Sequence, residues 1–148
     1  MNNVIKAVDL FCGGGGLSQG LRDAGIDVIL AMDAWPAAIN FYRANQLGHS
    51  AVMQDLTAVE ETIEKLRGYS FDMIAGGPPC QDFSSAGKRD GNGSRANLTT
   101  CYAQIVIALK PRYFVMENVD LARKYVTFRD AVEALRKAGY GITERVLD

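Results

Sequence analysis

Val4-Ile5-Lys6-Ala7-Val8-Asp9-Leu10-Phe11-Cys12-Gly13-Gly14-Gly15-Gly16-Leu17 is the stretch on which the reading of this chain turns. Val4 to Leu10 is a short apolar run that predicts a buried strand. Four glycines follow. Leu17 to Ala24 then predicts a helix, with Gly25 just past its end as a C-terminal stop. Strand, glycine turn and helix open a βαβ unit in a parallel sheet. Glycines at that place let a backbone come close to a ligand. No Lys-Ser/Thr pair follows them, which argues against a phosphate-gripping P-loop. A bare tight turn is the plainer alternative, and on these residues alone it stays open.

Working outward, the pattern repeats. Val28 to Met32 is a second apolar run, and Pro36 to Asn45 reads as a helix with proline at its first position. Val52 centres a short third strand. Thr57-Ala58-Val59-Glu60 is a capping-box pattern for a helix ending near Gly68. Phe71 to Ala75 is a fourth strand, and Gly76 to Ser94, rich in Gly, Pro and Ser, reads as a loop. Asn97 to Leu109 is helical and stops before Pro111. Tyr113 to Met116 is a fifth strand. Thr127-Phe128-Arg129-Asp130 is a second capping-box pattern, for a helix ended by Gly139, and Ile142 to Leu147 predicts a sixth strand. The expected fold is α/β, a doubly wound and mostly parallel sheet, with ligands beyond the carboxyl ends of its strands.

The bulk properties narrow the classes. The 148 residues suit one domain with one sizeable core, and 48% hydrophobic with 22% charged residues is ordinary for a globular protein. No apolar run approaches the ~18 residues of a membrane span, so no membrane partner is expected. Three cysteines without close pairing suggest no disulfide framework, which points to a reducing cytoplasm. The net charge of −1 lacks the basic excess of a domain that grips nucleic acid unaided.

Candidate site residues fall at the expected strand ends. Asp33, about 20 residues after the glycines, is placed to accept hydrogen bonds from a ribose, or to cap the helix at Pro36. Asp55 ends the third strand, as an acceptor for an amino group or as a cap near Thr57. In Gly76-Gly77-Pro78-Pro79-Cys80-Gln81, two prolines fix the backbone before a thiol in a polar context. That context favours a nucleophile over a buried small hydrophobe. Cys12 and Cys101 read as packing residues. In Met116-Glu117-Asn118-Val119, Glu117 reads as a base-contacting acid or a plain surface residue, and Asn118 as a base contact or a loop tie. Asp82 to Arg95, with Lys88, Arg89 and Arg95, is either a loop that closes over a nucleic-acid backbone or a solvated one.

In order and spacing these segments resemble the DNA cytosine-5 methyltransferase family. Asp9 to Leu17 resembles its first motif, with Cys12 where a small Ala or Ser is common. Asp33, Ala38, Tyr42 and Asn45 are similar to the pattern around the ribose-binding acid, with Asp in place of the usual Glu and Trp35 where Asp is frequent. Asp55-Leu56 resembles the adenine-contacting motif. Pro79-Cys80-Gln81 with Phe83-Ser84 and Gly87-Lys88-Arg89 resembles the catalytic motif and its mobile loop. Leu98 fits a cofactor-contacting position, and Glu117-Asn118-Val119 resembles the glutamate motif.

The resemblance implies a Rossmann-like methyltransferase fold with S-adenosylmethionine as methyl donor, S-adenosylhomocysteine as product and DNA as substrate. By the same resemblance Asp9, Phe11, Gly13, Gly15, Gly16, Leu17, Asp33, Ala34, Asp55, Leu56, Pro78 and Leu98 bind the cofactor. Pro79, Gln81, Ser84, Lys88, Arg89 and Asn118 bind the substrate. The target cytosine is flipped out of the duplex. Cys80 attacks its C6, and Glu117 hydrogen-bonds N3 and stabilises the charge built during attack. The family's later motifs and target-recognition domain have no counterpart within these 148 residues. The expectation is a catalytic domain, incomplete at its C-terminus, that needs a second polypeptide or a further C-terminal part. An RNA cytosine-5 methyltransferase and an inactive cofactor-binding fragment are the alternatives. A restriction-modification system is the expected setting.

Overall fold

The structure, a computed structural model, describes residues 4–45, 50–79 and 97–147. Five parallel strands form one sheet: β1 (Lys6–Leu10), β2 (Asp27–Asp33), β3 (Ser50–Met53), β4 (Met73–Gly76) and β5 (Tyr113–Met116). Their order is β3-β2-β1-β4-β5. The chain builds outward from β1 to β3, then returns to place β4 on the other side of β1. This reversal opens a crevice between the carboxyl ends of β1 and β4.

Both faces of the sheet are covered, as parallel strands require. The helices α1 (Gly16–Asp23) and α2 (Pro36–Asn45) lie on one face, where Ala7, Val28 and Ala75 meet Leu21, and Ala31 and Ala51 meet Ile39 and Tyr42. On the other face lie α3 (Val59–Arg67), α4 (Leu98–Leu109) and α5 (Val126–Lys137). There Val8, Leu10, Leu30, Met32 and Ile74 meet Leu66, Tyr102, Ile105 and Leu135. Small residues on the α1/α2 face bring those helices close, while larger ones fill the thicker layer opposite.

Three local expectations need correction. Ile142 to Leu147 is not a strand, so the described residues hold five strands and not six. A strand exists through its ladder. This stretch pairs with none, and Leu147 is 89% exposed with no layer to pack against. Thr57 does not cap α3: the N-cap is Ala58, without a side-chain hydrogen bond. Thr57 instead bonds back to Asp55, which commits its hydroxyl before the helix begins. Thr127 likewise lies inside α5, whose N-cap is Tyr125. A 3-10 helix, Asp120–Lys124, precedes α5 where no element was expected. Among the described residues no helix is long and apolar enough to cross a membrane.

Candidate active site

The register carries the candidate residues to one edge. Leu10 pairs with both Met32 and Gly76, Gly76 with Met116, and Asp33 with Met53. The next residues along each strand, Phe11, Gly77 and Glu117, therefore stand in a row with Asp33 and Asp55 at the carboxyl edge.

The glycine loop is built from left-handed turns. Gly13 has φ +50° and Gly15, at the N-cap of α1, has φ +95°. Phe11 also has positive φ, +59°, which is strained for a bulky residue. That strain aims its ring into a cavity. Cys12 N–H bonds Met32 O at 3.0 Å, and Gly15 N–H bonds Cys12 O at 2.9 Å. Asp33 fastens the loop from outside: Oδ2 accepts from Gly13 N–H and Oδ1 from Trp35 N–H, both at 2.9 Å. Each oxygen keeps an acceptor site free for a ligand hydroxyl. Asp33 thus ties the loop to the start of α2 while facing the cavity.

Across the cavity, Asp55 Oδ1 accepts from Thr57 N–H at 2.9 Å and from Thr57 Oγ1–H at 2.7 Å. The Thr57 hydroxyl bond, then its backbone bond, lowers the Asp55 pKa and keeps the group ionised. Asn97 caps α4 through Thr99 N–H and Thr100 N–H and so sets Leu98 at the rim.

A cavity of about 580 Å³ lies along this row, within the usual size of a small-molecule site. Of the expected cofactor residues, Phe11, Asp33, Ala34, Asp55, Leu56 and Leu98 line it. Gly13, Gly15, Gly16 and Leu17 do not: they shape the loop and the first turn of α1 behind it. Trp35, Thr57, Gly77 and Pro79 join the lining. Trp35, 67% exposed beside the acid, escaped assignment in the sequence because an aromatic before a proline signals no chemistry by itself.

A second cavity, about 480 Å³, adjoins the first and is lined by Gly77, Pro78, Pro79, Glu117, Asn118, Val119 and Leu121. Pro78, expected at the cofactor, faces this one instead. Gly77 and Pro79 are common to both walls. A Cβ on Gly77 would stand 3.0 Å from Glu117 Oε2, so glycine there makes room for the carboxylate. Cys80, Gln81, Ser84, Lys88 and Arg89 lie outside the described residues.

A family model described as C-5 cytosine-specific DNA methylase matches residues 5–148. The chain belongs to that family. Among its relatives, the type II methyltransferase M.HindV of Haemophilus influenzae is 46% identical over 97% of the chain and 47% of its own length. M.HgiDI of Herpetosiphon aurantiacus is 43% identical over 97% of the chain and 46% of its own length. The chain thus spans about half the length of these relatives. A crystal structure of a Spodoptera frugiperda DNMT2 mutant superposes with TM-score 0.68 at 25% identity, over 88% of this chain and 41% of that one.

Asp9, also expected among the cofactor residues, belongs to the interior of the fold. It is fully buried on the α1/α2 face and lines neither cavity. Its Oδ2 accepts from the Ser18 hydroxyl at 2.5 Å, and Ser18 Oγ accepts from Tyr42 OH at 2.8 Å. Its Oδ1 has no hydrogen-bond partner among the described residues. Burial pushes the carboxyl up to about 6, against the opposing pull of the Ser18 bonds. Because the folded pKa lies above the unfolded one, Asp9 favours folding below about pH 4 and loses that contribution as pH rises through about 6. Between about pH 5 and about pH 7.5 the chain should lose on the order of 1 kcal/mol that Asp9→Asn does not lose. Urea unfolding of both forms at the two pH values measures this, and parallel pH profiles would refute it.

Proposed function

We propose that residues 1–148 are the S-adenosylmethionine-binding and catalytic domain of an enzyme that methylates C5 of cytosine in DNA. The observation that carries this is the pair of adjoining cavities sharing the Gly77–Pro79 wall, one fitted to a nucleoside-like cofactor and the other holding Glu117. The cofactor fits the first by the chemistry of its lining. Asp33 has acceptor capacity for ribose hydroxyls, Asp55 is an ionised acceptor for an amino group, and Phe11, Trp35, Leu56 and Leu98 offer apolar surface to a purine. S-adenosylmethionine supplies an electrophilic methyl group there.

The chain's own residues address the base. C5 of cytosine is a weak nucleophile, and thiolate addition divides a hard step into easier ones. Cys80 Sγ bonds to C6, with Glu117 hydrogen-bonded at N3 to stabilise the charge displaced into the ring. The electron pair then available at C5 forms the new carbon–methyl bond as the donor's sulfur–methyl bond breaks, leaving S-adenosylhomocysteine. Loss of the C5 proton to water expels Cys80 as thiolate and restores the ring. Gln81, Ser84, Lys88 and Arg89 are assigned to the DNA side. The net charge of −1 fits a domain whose DNA grip comes largely from a further C-terminal part or a second polypeptide.

Titrating S-adenosylmethionine into the chain by calorimetry tests the first cavity. Micromolar binding is expected, weakened roughly tenfold or more in Asp33→Ala, as loss of a hydrogen-bonded acceptor costs about 1.5–3 kcal/mol. Equal affinity of the two forms would remove Asp33 from the site. A folded chain with no binding would leave the pocket dependent on another polypeptide segment.

A further inference from the structure

We infer that Asn118 is a positioning residue that fixes the wall shared by the two cavities; this goes beyond the reading just given and rests on its two-cavity arrangement. Gly77 leads into Pro78 and Pro79, and neither proline has a backbone N–H. The Pro-Pro segment therefore cannot be anchored through donors of its own, only through its carbonyls. Asn118, beyond the end of β5, supplies the missing donor: its Nδ2 donates to Pro78 O at 3.0 Å, across 40 residues of sequence.

The amide orientation follows from its partners. A carbonyl only accepts and Val119 N–H only donates, so Nδ2 faces Pro78 and Oδ1 accepts from Val119 N–H at 2.9 Å. Both ends of the side chain are held by backbone, which suits a strut better than a group waiting for a base. The ladder bond from Glu117 N–H to Gly76 O, 2.9 Å, joins the same two chain segments one step earlier. Asn118 continues that join past the last ladder bond, where β4 and β5 have ended. Pro79 then holds its place in both walls, although Asn118 itself lines only the second cavity.

The consequence is a coupling that a base-contacting asparagine would not produce. Asn118→Asp, nearly the same shape, presents only acceptors and repels the Pro78 carbonyl. The test uses the isotope-labelled chain in solution. The unmutated chain should show a through-hydrogen-bond coupling between Asn118 Nδ2 and the Pro78 carbonyl carbon. Asn118→Asp should shift the Gly76, Gly77 and Glu117 amide signals and weaken S-adenosylhomocysteine roughly fivefold or more. Leu121→Ala, which alters the second cavity but removes no hydrogen bond to Pro78, should leave that affinity within about twofold. A missing coupling with a freely averaging Asn118 side chain overturns the inference, as does equal weakening by both variants or none by Asn118→Asp. If the unmutated chain is folded but does not bind S-adenosylhomocysteine, the pocket depends on another polypeptide segment, while the coupling and the ligand-free spectra still decide whether Asn118 holds the wall.

Discussion

Gly76→Ala is expected to destabilise the folded chain by about 3 kcal/mol, the upper part of the usual range for overpacking. A Cβ at this position would stand 2.6 Å from Leu10 O and 2.9 Å from Tyr102 Cε2. Neither neighbour has room to yield. Leu10 O belongs to the backbone of β1, which β2 and β4 hold from both sides. Tyr102 is fully buried, and its one hydroxyl proton is shared between Ile74 O at 3.0 Å and Val115 O at 2.9 Å, spanning β4 and β5. Moving the ring breaks that bridge, and moving the strand breaks the sheet beneath the site. A chain of this length should lose about 10 °C in Tm, and calorimetric or denaturant unfolding would show it. Gly77→Ala is the contrasting case, since its Cβ meets the end of the Glu117 side chain at 3.0 Å and backbone no nearer than Glu117 O at 3.8 Å. A Gly76→Ala protein that melts within about 2 °C of the parent would mean that the tight packing around β4 is wrong.

The second large effect concerns chemistry. On the proposed mechanism, and with any further C-terminal part or second polypeptide it needs supplied, Cys80→Ala should lower methyl transfer on the order of 10³-fold or more, as removal of a covalent nucleophile does. With S-adenosylmethionine present it should also abolish the stable adduct with an oligonucleotide containing 5-fluorocytosine, because after methyl transfer the fluorine on C5 cannot leave as a cation and the thiol is not expelled from C6. Cys12→Ser and Cys101→Ser should keep the adduct. Both native thiols are buried, and burial raises the pKa of each, so neither is available as thiolate. An adduct that persists in Cys80→Ala would place the nucleophile elsewhere. Running the trap on duplex DNA and on tRNA separates the two substrate classes open to this chemistry.

Much of this was legible before any coordinates. The run from Val4 to Leu17 predicts strand, glycine turn and helix, and the structure has β1 and α1 there. Pro36–Asn45 and Tyr113–Met116 match residue for residue, because proline at a helix start and a short apolar run after Lys110-Pro111 are local signals. Asn97 to Leu109 was readable as a helix in the same way, although Asn97 is its cap and not its first residue. Where local signals conflicted, the sequence misled. Thr57 and Thr127 both sit in capping-box patterns, yet each helix starts elsewhere: the Thr57 hydroxyl is committed to Asp55, and α5 begins one residue before Thr127.

The sequence by itself determined the order of elements, the family resemblance and the chemical types at the strand ends, all of which depend on neighbours along the chain. Tertiary structure alone decided which of those residues share a wall. Asp9 and Asp33 look alike in sequence, two acids at the ends of apolar runs. The pleat turns Asp9 into the α1/α2 layer against Ser18, whereas Asp33 ends its strand and faces the open crevice. The tie from Asn118 to Pro78 joins residues 40 apart in sequence. It exists because parallel pairing sets β4 beside β5 in one register, and side-chain alternation makes a one-residue shift of that register exchange the two faces.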